Sequence, residues 1–362
     1  MESLLYKPTL DEVLPRLRSL YARQAQDRVF ASMIAPSRAL EEFGRKYAAG
    51  YCDWPDPAER IAFWDKLLAE RAALEDDSVP SAYLSEMDQG LYGGLVGGKV
   101  QFMAHPDNGW ISSMVAPVLG DLGELDRLGF QPGHPWFRRY CEVLKAFVRS
   151  SAGKFGISHF ILINGLNFVF ELVGATATYL SLDERPEAVR RAIELGFGIN
   201  VAVQEAFFER VPPLRRGTAS NMVEWIPGRI VSESVDPFHM TSVNYFETWG
   251  RGPVERVFAR FDGGVIHIHG NGRHLLEAAS KLEGLKAIFL GDDRGFPRAF
   301  DVLDELKRRC GEVPLVVETE VERFTEGLDR HALPGGVLYK VRGLPDVAAA
   351  NRLMEKVRAY RV

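Results

Sequence analysis

A chain of 362 residues with a formal charge of −5 is long enough for one large α/β barrel or for two modest domains. Hydrophobic residues at 46% and charged residues at 26% are the balance of a globular protein, and a mildly acidic chain with no long basic run argues against nucleic acid as a partner. Three scattered cysteines without a CxxC pair argue against a cysteine zinc site or a disulfide framework, and no apolar run approaches the roughly 18 residues of a membrane span. The start of the chain lacks the charged and apolar regions of a signal peptide. The expectation is a cytoplasmic protein that acts on a small molecule, with no membrane partner and with a dimer among the open oligomeric states.

In chain order, Thr9-Leu-Asp-Glu12 has capping-box spacing and opens a helix to about Gln26. Asp56-Pro57-Ala-Glu59 repeats the signal, and Ile61, Trp64, Leu67, Leu68 and Ala72 fall on one helical face. Residues 1–75 therefore read as a helical extension packed on a main domain of residues 76–362. Residues 78–120 read as loops and short strands. Gly93-x-x-x-x-Gly98-Lys99 lacks the hydroxyl residue and the preceding strand of a phosphate-binding loop, so it reads as a turn. A strand is predicted from Phe155 to Ile163, a helix from about Phe168, and a long helix from Pro186 to about Arg210. Gly217 to Pro227 reads as loop, and Arg229 to Asp236 as a strand.

The rhythm then becomes regular. Strands at Gly264–His269, Lys286–Leu290, Pro314–Glu318 and Gly336–Val341 alternate with helical patterns at Arg273–Leu282, Pro297–Cys310, Val321–Asp329 and Pro345–Tyr360. Short apolar β-rich runs alternating with helices imply parallel strands joined by crossovers, and their number predicts an α/β fold, a (β/α)8 TIM barrel with an N-terminal helical extension. An open doubly wound sheet is the alternative, but Gly270-Asn-Gly272 continues without the third glycine of a dinucleotide loop.

Chemistry concentrates in Val265-Ile-His267-Ile-His269-Gly-Asn271-Gly272. Alternation along a strand turns both imidazoles to one side, with Cα atoms roughly 6.6 Å apart. The glycines allow a sharp turn and close approach to a ligand. His267 and His269 are candidates for a metal pair or for acid/base catalysis, and neutral imidazoles suit zinc or another borderline divalent metal. The competing reading is a pair of satisfied polar residues at a strand exit. Glu318, at the next strand end but one, is a candidate third ligand, against a place in the acidic run with Glu320 and Glu322. Asp292 is another, weighed against a turn and helix cap. Asp236 and His239 are candidates for orienting or protonating a substrate, against an Asp-Pro turn. Asn164, Asn167 and Asn271 are candidate substrate donors, with turn formation as the bland alternative. Glu86, Asp88 and Trp110 are candidates for the upper wall of the pocket. His159, inside its strand, reads as a core histidine.

Three of these stretches, Asp236-Pro-Phe-His-Met240-Thr-Ser242, His267 to Glu277, and Asn164 to Asp183 with Leu172-Val-Gly174, are similar to segments of the uroporphyrinogen decarboxylase superfamily. The resemblance runs from about residue 75 to the end and rests on the order and spacing of the segments. It implies a (β/α)8 barrel and either corrinoid-linked methyl transfer or decarboxylation. The chain departs from that pattern in several places. Met33-Ile-Ala-Pro-Ser-Arg38 stands where heme-pathway members carry two arginines, His267-x-His269 replaces His-x-Cys, and Asn167 stands where many relatives have Asp. The leading expectation is metal-assisted one-carbon transfer, with corrinoid as substrate or a corrinoid protein as partner. The alternatives are metal-independent decarboxylation of a polycarboxylate or tetrapyrrole-like substrate, and a corrinoid- or tetrapyrrole-binding protein without catalysis.

Overall fold

The computed structural model describes residues 4–158 and 163–362. Numbering only the parallel strands, β1 is Val29–Met33, β2 Ser81–Tyr83, β3 Gly156–Ser158, β4 Val231–Ser234, β5 Gly264–Ile268, β6 Leu285–Leu290, β7 Leu315–Glu320 and β8 Val337–Arg342. Six of them form one parallel sheet in the order β1-β8-β7-β6-β5-β4, and β2 pairs in parallel with β3. From β4 onward each strand lies beside its successor, and β8 returns to β1, which is the order of a barrel. Among the described residues no strand ladder joins the β2–β3 pair to the six. The fold is thus mixed α/β and compatible with the predicted barrel, whose closure is not shown by hydrogen bonding. His159 lies outside the described residues.

The N-terminal stretch contains more than the helices read from its pattern. Helices occupy Leu10–Tyr21, Arg38–Lys46 and Pro57–Glu70, but β1 lies between them and pairs with β8 over its whole length. A five-residue buried strand is too short to leave a periodic signature against neighbouring helices, so the extension supplies part of the central sheet. The free edge of β1 is satisfied by the segment before β2. Asp77 accepts from Ala31 N–H at 3.0 Å and donates its own N–H to the Ala31 carbonyl at 2.8 Å, while Asp76 accepts from Met33 N–H at 2.6 Å. Lys7 and Arg16 neutralise these buried carboxylates at 2.7 and 2.6 Å.

Gly217 to Pro227 is a hairpin of Gly217–Ser220 and Glu224–Pro227 and not a loop. The predicted helix at Arg273–Leu282 is a 3-10 turn, Gly270–Leu275, followed by one short turn of α-helix, Leu276–Ala279. The helices Pro186–Arg210 and Val321–Asp329 occupy their expected ranges. Among the described residues, no helix is long and apolar enough to cross a membrane.

Alternation along the strands sorts side chains to two faces. Phe30, Leu338, Val316, Ala287 and Val265 pack with the helix Leu10–Tyr21 and with Trp225 of the hairpin, covering the N-terminal end of the sheet. Ala31, Tyr339, Val317, Ile288 and Ile266 point the other way into the core shared with the helices. Two residues further along the first face stand Ser32, Lys340, Glu318, Phe289 and His267. The face therefore changes from apolar to largely polar toward the C-terminal ends of the strands, where parallel α/β folds place their sites.

Candidate active site

Three successive strand ends contribute to one cluster. Asp236 follows β4 and opens the 3-10 turn Asp236–Met240, His267 and His269 lie at the end of β5, and Asp293 follows β6. The His267 and His269 rings are 4.9 Å apart, in an edge-on arrangement. Asp236 Oδ1 lies 3.0 Å from His267 Nε2, close enough for an ion pair with the protonated ring. Asp236, His267 and His269 each present one donor atom within 4.8 Å of the others. Neighbouring ligands around a tetrahedral zinc ion are roughly 3.4 Å apart for bonds of about 2.1 Å, so this spacing fits a divalent metal held by two imidazoles and a carboxylate. His269 Nδ1 meets Asp293 Oδ1 at 3.0 Å, which leaves Nε2 as its free donor. Asp293 Oδ2 also accepts from Asn271 N–H at 3.2 Å, so the glycine loop fixes the carboxylate that fixes the ring. A carboxylate behind a ligating imidazole sets its tautomer and orientation. A metal held by these three residues should bind about 10- to 100-fold more weakly in Asp293→Ala, which a competition titration with a chromogenic chelator would measure.

His239 is packed over this group, 3.7 Å from Asp236 through Nδ1 and with its ring 5.7 Å from that of His269. Its Nε2 is buried without a hydrogen-bond partner. Gly272 makes this approach possible, because a Cβ there would stand 2.1 Å from His239 Cδ2. Burial draws His239 down to about 4, with Asp236 opposing and the neighbouring histidines assisting. Burial works against charge on His267 too, but Asp236 outweighs it and raises the imidazole above its ordinary value, with Asp88 adding to the effect. Burial raises Asp236, but the fields of His267, His239 and His269 prevail and hold it well below the carboxylate range.

A second set of acids lies nearby. Asp88 follows β2 and accepts from Tyr83 Oη at 3.0 Å. Burial pushes it up to about 7, against that hydrogen bond and the field of His267. Glu171, on the helix Leu166–Glu184, is pushed up to about 8 by burial and then by Asp88, and its Oε2 is buried without a partner. Glu233, on the helix-facing side of β4, is raised well above its ordinary value by burial. Asn200 Nδ2 lies 3.4 Å from its Oε1.

The remaining sequence candidates divide by placement. Glu318 is outside the group that could hold a metal. Its carboxylate takes Arg342 at 2.6 Å, and that group instead includes Asp236, a residue whose sequence setting suggests proton handling. The difference arises because β7 lies two strands from β5, whereas Asp236 is on the immediate neighbour. Asp292 accepts from Ala299 N–H at 2.7 Å and Arg273 at 3.1 Å, so it anchors the loop after β6. Asn167 donates to the Ser234 carbonyl at 2.7 Å and Asn164 to the Pro253 carbonyl at 3.0 Å, so each ties the start of the helix Leu166–Glu184 to a neighbouring element. Asn271 Oδ1 is buried and unpaired beside His269. Glu86 is buried against Arg60 at 3.6 Å. Trp110 packs its ring edge-on to Tyr83 at 4.9 Å. Glu171 and Glu233 carry no signal in the sequence, whereas Asp293 carries one as the second member of the Asp292-Asp293 pair, which reads as a turn and helix cap after a strand.

No family model matches the chain, and no curated protein matches its sequence. Among solved structures, the chain is similar to a methyltransferase from Methanosarcina mazei, with a TM-score of 0.61 over 96% of this chain and 98% of that one, at 13% identity. At that identity the likeness is one of fold, and it spans essentially the whole of both chains.

Proposed function

We propose that the protein is a metal-dependent enzyme of the uroporphyrinogen decarboxylase superfamily that transfers a methyl group at the mouth of the barrel. The observation that carries this reading is the convergence of Asp236, His267 and His269 within 4.8 Å, with Asp293 orienting His269 from behind. Asp236, His267 and His269 would hold a divalent metal, zinc being the first choice. When bound, it supplies Lewis acidity that lowers the pKa of a thiol, hydroxyl or water. The similarity of fold to a methyltransferase supports methyl transfer over other one-carbon chemistry.

The chain's own groups have separable tasks. Asp293 and the Asn271 backbone keep His269 Nε2 turned toward Asp236 and His267. Asp88, drawn up to about 7 and held by Tyr83, is placed to release or accept a proton near neutral pH. His239, kept neutral near neutral pH, covers the group on one side and limits access of water.

A second reading is favoured by the 3.0 Å approach of His267 to Asp236. In it the pair works without metal, His267 as a charged acid during a decarboxylation. Elemental analysis of the purified protein separates the two. Near-stoichiometric zinc or another divalent metal, lost on chelation and restored on addition, supports the first. Metal-free protein that gains nothing from added zinc, yet releases carbon dioxide from a polycarboxylate, supports the second.

A further inference from the structure

A cavity of about 160 Å³ lies where the N-terminal helices meet β1, β2 and β8. Its wall includes Ser32, Trp64, Arg71, Tyr83, Glu224 and Lys340. Arg71 caps the helix Pro57–Glu70, and among the described residues its guanidinium makes no hydrogen bond and no ion pair. Its Nε is buried without a partner, and so is the indole Nε1 of Trp64. Every carboxylate whose field reaches Arg71 is committed elsewhere. Glu70 accepts from Ser37 Oγ at 2.6 Å and Ala39 N–H at 3.2 Å, and Asp76 from Lys7 at 2.7 Å and Met33 N–H at 2.6 Å. Glu224 accepts from Lys340 at 3.0 Å and Val79 N–H at 3.2 Å. Burial pulls Arg71 below the usual guanidinium value, and these three acids pull back only in part.

A partly buried guanidinium without a counter-ion is costly, and a perturbed charged group on a cavity wall is a candidate for binding a ligand. The unpaired buried groups on this wall are donors; none of the described lining residues presents an unpaired buried acceptor. Lys340 donates to Glu224 and to the Asn221 carbonyl at 2.9 Å, which leaves one ammonium N–H for a ligand.

We propose that this cavity is an oxyanion subsite, in which Arg71, Trp64 Nε1 and Lys340 hold a carboxylate or phosphate group of a small substrate. The planar fork of arginine suits two oxygens of such a group. Tyr83 forms part of the wall while its hydroxyl reaches Asp88, whose charge is felt at His267. An anionic substrate seated here would reach the cluster at the end of β5 past Tyr83 and Asp88. In this last respect alone the proposal rests on the metal-enzyme reading.

The test is a titration followed by tryptophan fluorescence and by melting temperature, at constant ionic strength, with sodium malonate in one arm and inorganic phosphate in the other. A saturable response to either anion is expected, and the arm that responds more tightly identifies the group. Arg71→Met should weaken it by about tenfold or more, while the ligand-free variant melts no lower than the wild type because an unpaired buried charge has gone. Should that variant fail to fold, Trp64→Phe removes only the N–H donor and should also weaken binding. The same titration on His267→Ala should be unchanged, so anion binding can fail or survive independently of the metal reading. No saturable response to either anion, or unaltered affinity in Arg71→Met or Trp64→Phe, would overturn the proposal.

Discussion

Replacing His267 with Ala should reduce metal affinity by more than about 100-fold and remove turnover with it. Loss of a supporting carboxylate behind a ligand typically costs 10- to 100-fold, so loss of a ligand sets that range as the minimum. His267 is the member of the cluster with the least freedom. It is 5% exposed, 3.0 Å from Asp236, and turned toward the polar end of the sheet by the alternation that buries Ile266 and Ile268 on the opposite face. Its removal leaves Asp236 without the charge that holds its carboxylate ionised, so the pKa of Asp236 should climb in the same variant. Equilibrium dialysis against zinc, with circular dichroism to verify the fold, checks this. Retained stoichiometric binding would show that the other side chains suffice.

The contribution of Glu171 and Asp88 to stability should fall as pH rises from about 5 to about 8.5, and Glu171→Gln should recover part of the loss. Glu171 and Asp88 are carboxyls whose folded pKa values, about 8 and about 7, exceed their ordinary values of 4.5 and 3.8. Between the unfolded and folded values the native state holds more protons than the unfolded chain, so their contribution is intact at the acid end and lost toward the alkaline end. At about 1.4 kcal/mol per pKa unit, the ceiling for either group is on the order of 5 kcal/mol, and their mutual repulsion makes the two effects non-additive. Urea denaturation at the two pH values should show a smaller difference in midpoint for Glu171→Gln than for wild type. Equal differences would mean that water or a counter-ion already relieves this carboxylate.

The second half of the chain was legible because each βα unit announces itself twice, by an apolar strand run and by the helical period after it. The pairing of His267 with His269 followed from strand alternation alone. Their partners were harder to find, because register between strands is a tertiary property. Asp236 and Glu318 are both strand-end acids in sequence, and only the order of strands places one beside the imidazoles and the other beside Arg342. β1 escaped notice because five residues between helices carry too little pattern, and its edge is closed by two aspartates distant in sequence. Arg71 gave no signal either, since an arginine at a helix end ordinarily faces water and only the enclosing walls make it unusual.

X-ray absorption spectroscopy on the zinc-loaded protein tests the proposed centre most directly. The expected first shell is nitrogen and oxygen alone, with the outer-ring scattering of two imidazoles and no sulfur, since Cys310 is buried at the end of the helix Leu303–Cys310. A sulfur shell, or a spectrum with one imidazole or none, would contradict it.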